Sequence, residues 1–224
     1  MPKTIYYIES LPLIFRRIDS GEIHIPQFQR RFVWGREEII QLFDSIYNGL
    51  PIGTLLFWRS PEKNFMFSQD DFMTSSQTEE QASYMYVIDG TQRLRALYNC
   101  LHRKENGQDS RFAVGFDLEK KIFTYLHQVN VSETIVVLSS VFSHEEIIKH
   151  QIALASHHAS QILVKNLNEL ISAFVEYQIP IIVIDEVTKD EMLTAFQRIN
   201  TTGTRLSKED ILRAREEYMG KNEL

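Results

Sequence analysis

The chain is short of cysteine, of basic excess and of long apolar runs, and each shortage excludes a class of protein. One cysteine among 224 residues, Cys100, leaves no internal disulfide and no Cys-x-x-Cys pair. Its place in an apolar helical pattern marks a small core residue in a reducing compartment. A net charge of −6 and a pI near 5.7 argue against a broad electrostatic grip on duplex DNA, although a local basic cleft is compatible with both. No apolar run approaches the roughly 18 residues needed to span a bilayer, and Met1-Pro2-Lys3-Thr4 lacks a signal-peptide pattern. The expectation is a cytoplasmic protein with no membrane partner. The terminal Lys221-Asn222-Glu223-Leu224 looks like a retrieval signal, but without a secretory signal it reads as coincidence or a ragged end. Neither a Gly-rich Walker loop nor a nucleophile elbow occurs.

What is present is enough apolar sequence for a substantial core: 43% of residues are hydrophobic against 24% charged. Helical spacing runs from Ile8 to Ile18 and from Arg36 to Tyr47, each stopped by a glycine, with Ile23 to Phe32 extended between them. Gly53 to Trp58 reads as a buried strand, and Pro61 to Ser83, acidic and Ser/Thr/Gln-rich, as a surface loop. Tyr84 to Ile88 is strand-like and Leu94 to Leu101 helical; Phe112 to Phe116 and Lys121 to Leu126 form a hairpin, with Ile135 to Leu138 as a third strand. Ser143 and Glu146 predict a capping box opening a helical tract to Tyr177, split near His157 to Ser160. Pro180 to Ile184 is a strand, Lys189 to Ile199 a helix ended by Asn200-Thr201-Thr202-Gly203, and Ser207 with Asp210 starts another helix. No internal repeat is evident. The alternation implies an α/β or α+β core: residues 1–142 carry most of the sheet, and residues 143–224, mostly helical with the strand 180–184, complete the same domain.

Three polar clusters interrupt this framework. The most informative is Asp89-Gly90-Thr91-Gln92-Arg93, delivered by a strand and opening a helix, where unpaired backbone N–H groups converge on one point. Arg93 places positive charge in the first helical turn, against the macrodipole, which an anion at that point would explain. The plainer alternative is an Asp-Gly turn with Thr91 as N-cap and Arg93 solvated. The second cluster, Pro26-Gln27-Phe28-Gln29-Arg30-Arg31, and the third, Gln197 to Gly203, also end regular elements. Arginine offers a planar fork for phosphate, while amides and hydroxyls add neutral hydrogen bonds. Gln29 and Arg30 could instead cap loops or pair with carboxylates, and Asn200 to Gly203 could be only a helix C-cap. Asp89 could hold magnesium, or orient Arg93 or a water.

Taken in order, Ile25-Pro26-x-Phe28-Gln29-Arg30, Leu50-Pro51-Ile52-Gly53, Val87 to Leu94 and Ile199 to Gly203 resemble the N-terminal domain of GmrSD-type restriction endonucleases. This large family was first labelled domain of unknown function 262, and the resemblance runs from about Leu11 to Arg213. It implies an α+β, ParB/sulfiredoxin-like fold: a mixed sheet core with surrounding helices and a helical C-terminal portion, as the N-terminal fragment of a longer protein. It further implies a nucleotide-binding and hydrolysing site within a bacterial phage-defence system. Carried over by position, Asp89, Gln92 and Arg93 would be catalytic. Gln29, Arg30, Gly90, Thr91, Arg93, Asn200, Thr201 and Gly203 would hold the nucleotide, and Asp89 a Mg²⁺ ion accompanying a nucleoside triphosphate. Thr91 departs from the Gln usual in the family's DGQQR-type motif.

Many relatives continue into an HNH nuclease, whose histidine and asparagine constellation is missing here. His157 and His158 would splay apart on a helix, and His150 and His157 share a face without acidic or cysteine partners. The expected function is therefore an NTPase gating a nuclease located elsewhere, with DNA engaged through a missing region or a partner; homo-oligomerisation is left open. Two alternatives stand beside it. One is a non-catalytic sensor of nucleotide or nucleic acid, with Phe28, Phe32 and Trp34 stacking on bases; the other is a ParB-like nuclease acting alone.

Overall fold

The computed structural model describes residues 3–62, 83–102 and 109–202. Most of the acidic loop read at 61–83, Gly203 and the helix read from Ser207 lie outside these residues, and only the backbone of Asn200 to Thr202 falls within them. The fold is mixed α+β. A five-stranded sheet contains β1 (Lys3–Ser10), β2 (Ile23–His24), β3 (Leu55–Ser60), β4 (Tyr84–Asp89) and β8 (Gln178–Asp185), in the order β1-β8-β3-β4-β2. A second sheet has β5 (Val114–Asp117) between β6 (Ile122–Tyr125) and β7 (Ile135–Val137). The helices are α1 (Leu11–Asp19), α2 (Arg36–Tyr47), α3 (Thr91–Leu101), α4 (His144–Leu154), α5 (Ser160–Val175) and α6 (Lys189–Thr202).

Period-two alternation sorts the strand residues onto two faces. Leu55, Phe57, Met85, Val87, Ile179, Ile181 and Val183 enter the main core with the apolar stripes of α1, α2, α3 and α5. Trp58, Tyr86 and Ile88 face the other way and pack with Phe28 and with Met192 and Phe196 of α6. Each such side chain contributes about 1.5–3 kcal/mol on burial, so α6 is held to the sheet by its own small core. Strand β8 lies between β1, antiparallel to it, and β3, parallel to it, so a strand late in the chain is inserted inside the main sheet, next to its β1 edge.

Four local expectations are corrected. Lys3 to Ser10 is a strand, and the helix read from Ile8 begins only at Leu11. The continuous run Ile5-Tyr6-Tyr7-Ile8 had no alternation to distinguish it from the helical stripe that follows. Ser143 does cap α4, but its side chain makes no capping bond, and Glu146 pairs with Lys149 instead. Helix α6 continues through Thr202 rather than ending at Ile199. His157 and His158, in the α4–α5 connection rather than on a helix, do not splay: their ring centroids lie 4.3 Å apart.

Cys100 is 1% exposed in α3, and burial pushes its thiol well above the ordinary range. Its reaction with a thiol reagent is therefore expected to be slow in the native protein and fast in denaturant; fast labelling of the native chain would contradict this packing.

Candidate functional site

Strand β4 ends at Asp89, and Gly90 turns the chain into α3 with φ 91° and ψ 9°, a left-handed conformation that favours glycine. Gly90 is the N-cap, so the expectation that Thr91 caps the helix is corrected: Thr91 is the first helical residue. Its Oγ1 is buried and has no hydrogen-bond partner among the described residues. A side chain at Gly90 would collide with Leu55 and crowd the Arg93 guanidinium. The turn is thus fixed by backbone conformation and by close packing together.

Arg93 lies in a cradle made by the Leu50-Pro51-Ile52-Gly53 segment. Its Nη1 donates to the Ile52 carbonyl at 2.7 Å, and its Nη2 to Asp89 Oδ2 at 3.4 Å. Gly53 has φ 89°, and a Cβ there would strike Arg93 Nη1. The cradle is held from β8's side by Tyr177, whose hydroxyl donates to the Leu50 carbonyl at 2.7 Å and accepts from the Ile52 amide at 3.1 Å. Burial draws the Arg93 guanidinium below its ordinary pKa, and Asp89 and Tyr177 oppose that shift. Arg93 is consequently a held cation, with its carboxylate partner half exposed: the side chains are 17% and 48% accessible.

The upstream arginine loop is fastened to this turn residue by residue. Gln29 Nε2 donates to the carbonyls of Val87 and Ile88 at 3.1 and 3.2 Å. Gln92, 7% exposed, donates to the Arg31 carbonyl at 3.1 Å and accepts from the Val33 amide at 2.8 Å. Arg95, 2% exposed, donates to the Arg30 carbonyl at 2.6 Å. Arg111 completes the set, with Nη1 on the Trp34 carbonyl at 3.0 Å and its guanidinium over the Phe32 ring, while Asp109 pairs with it at 2.7 Å. The Arg30 backbone is therefore immobilised on both sides. Its half-buried guanidinium makes no hydrogen bond or ion pair among the described residues.

The structure thus brings together Gln29, Arg30, Asp89, Gly90, Thr91, Gln92 and Arg93. Both ends of the Gln92 carboxamide, and the Gln29 amide, are engaged by backbone groups. The late motif approaches through α6, whose Phe196 meets Phe28 of the arginine loop at a centroid distance of 5.0 Å. Phe28 is 3% exposed in that contact, and Phe32 is covered by Arg111 and Phe112, so the base-stacking role expected of these two rings is corrected to a packing role. Tyr177 and Arg95 were not singled out from the sequence. Arg95 carries a faint signal, a charge inside an apolar helical pattern; Tyr177 carries none.

As for a metal, Asp89 supplies one half-exposed carboxylate, and no group of three or more His, Cys, Asp or Glu suited to a metal occurs among the described residues. Magnesium is commonly held by one or two carboxylates with phosphate and water completing its shell, and this donor set fits that habit. No helix among the described residues is long and apolar enough to cross a membrane.

Comparison with known proteins gives two findings. An uncharacterized protein of Methanocaldococcus jannaschii is 22% identical over 233 aligned residues, covering 90% of this chain and 40% of that protein. The chain thus spans about two fifths of the length of the curated relative it matches. The model of the GmrSD restriction endonuclease N-terminal domain matches residues 11–215, which takes in the arginine loop, the Arg93 cradle, the Asp-Gly turn and α6. The chain belongs to the GmrSD restriction endonuclease N-terminal domain family.

Proposed function

We propose that this domain binds and hydrolyses a nucleoside triphosphate, and that the turnover gates a nuclease in the remainder of a phage-defence protein or in a partner. The observation that carries the reading is the Arg30 guanidinium: half-buried and unpaired among the described residues, on a loop clamped to the first turn of α3. Burying a cation without a carboxylate is costly, so an anionic ligand is the natural complement. That ligand would meet the free N–H groups at the start of α3 and the positive end of its dipole.

Arg30 and Arg93 hold phosphate oxygens, Arg93 keeping three of its five N–H donors beyond those given to Ile52 and Asp89. Gln29 and Gln92 act one step back, fixing the loop that aims Arg30, rather than touching the reacting water. Asp89 either orients that water or helps to hold magnesium, which when bound supplies charge neutralisation at the phosphates. The buried Thr91 hydroxyl, without a hydrogen-bond partner among the described residues, stands where the family usually has Gln. The family resemblance also assigns Asn200, Thr201 and Gly203 of the late motif to the nucleotide.

Phosphate release from ATP, GTP, CTP and UTP with magnesium, with and without DNA, tests turnover. Release from at least one nucleotide, abolished in Asp89→Asn, is the expected result. Undiminished release in both Asp89→Asn and Arg93→Ala would overturn the assignment, and binding without release from any nucleotide would leave a sensor in place of an NTPase.

A further inference from the structure

Strand β1 is an edge of the main sheet: no strand among the described residues pairs along its outer side. It is eight residues long, pairs along one side with β8 in unbroken register, and its other side ends the sheet. Long open edges are normally blunted by proline, by a bulge or by charges along the strand. Here the register with β8 has no bulge, proline is absent from Lys3 to Ser10, and the outward-facing residues include Tyr6 and Ile8, 72% and 66% exposed. On the same face of neighbouring β8, Pro180 lies opposite Ile8 and Ile182 opposite Tyr6, so the apolar strip is two strands wide. Helix α6 packs on this face over Trp58, Tyr86 and Ile88, with Leu56 and Tyr84 at the margin of that cluster.

The sequence of the strand says what fits it. Paired antiparallel with itself about Tyr6, Lys3-Thr4-Ile5-Tyr6-Tyr7-Ile8-Glu9 is self-complementary: Lys3 meets Glu9, Thr4 meets Ile8, Ile5 meets Tyr7 and Tyr6 meets Tyr6. Each opposed pair lies on one face of a continuous sheet, because the paired positions share parity. Aromatic and β-branched residues meet in the middle, a cross-strand combination that stabilises sheets, while at each end Lys3 falls opposite Glu9, which is 3% exposed and already paired with Arg17 at 3.0 Å within its own copy. A register centred on Tyr7 sets Glu9 against Ile5 and is inferior. We propose that two copies of this chain pair through β1, about a two-fold axis at Tyr6, joining their five-stranded sheets into one. A two-fold pairing uses the same strand from each copy and closes at two, which caps the edge without growth into fibres.

Because the native cysteine is buried, the register can be read by cross-linking. In the full chain, Tyr6→Cys places two thiols directly opposite each other and is expected to give a disulfide-linked dimer under mild oxidation; Ile8→Cys, opposite Thr4, is expected to stay unlinked. Light scattering of the unmodified chain should report twice 26.3 kDa, and Tyr6→Lys with Ile8→Lys should halve the mass without loss of the thermal transition, since both side chains face solvent in one copy. A monomeric mass for the unmodified chain, or cross-linking of Ile8→Cys in place of Tyr6→Cys, would overturn the proposal.

Discussion

Arg30→Ala is expected to weaken nucleotide binding by roughly ten- to a hundredfold while leaving thermal stability unchanged, the sharpest separation of binding from folding in this molecule. The affinity loss follows from charge-assisted hydrogen bonds worth about 1.5–3 kcal/mol. The unchanged stability follows from the structure: the Arg30 side chain makes no hydrogen bond or ion pair among the described residues, and only its carbonyl is used, by Arg95. Surface changes that break no contact typically stay within about 0.5 kcal/mol. Arg93→Ala should behave differently. Its guanidinium also ties Ile52 to Asp89, so affinity and stability should fall together. Isothermal binding and a thermal melt on the same preparations read both quantities, and a parallel fall of both in Arg30→Ala would contradict the assignment.

The second large effect is expected in folding. Gln92→Leu removes a 7% exposed carboxamide that bonds the Arg31 carbonyl and the Val33 amide at once, so both hydrogen bonds are lost. The cost should be about 2–4 kcal/mol, lowering Tm by roughly 5–15 °C for a chain of this size. Gln92→Glu keeps the bond from the Val33 amide and loses the one to Arg31, so its melting point should lie between the two. Since the loop that aims Arg30 is released in both, nucleotide affinity should drop in the same order. A stable Gln92→Leu protein that binds as tightly as the native chain would show that the clamp is incidental.

How far the sequence revealed these features depended on the range over which each interaction acts. Helix α2 was legible from Arg36 to Tyr47, because four buried apolar residues at helical spacing lie between two glycines. The hairpin of β5 and β6 was legible from its turn, and the split of the tract at 143–177 from its length alone. Strand β1 was not, since an edge strand with apolar residues on both faces loses the alternation that identifies one. The Asp-Gly turn and the arginine loop could be picked out as polar clusters at element ends. The working parts of the site could not, because Gln92 meets residues 59 and 61 positions away, and Tyr177 meets residues 125 and 127 positions away. The expectation that Gln92 and Gln29 would touch phosphate or water came from their chemistry; their backbone partners became visible only in three dimensions. Gly53 is similar: the motif containing it was noticed, but its closeness to Arg93 is a tertiary fact.

The phosphate site proposed for this domain is split between the arginine loop and the first turn of α3. Calorimetric titration of the native chain with magnesium and each nucleoside triphosphate, repeated with Arg30→Ala, tests it most directly. Saturable one-site binding of at least one nucleotide, weakened at least tenfold in Arg30→Ala, is the expected result; no saturable binding of any nucleotide, or equal affinity in the two proteins, would rule the split site out.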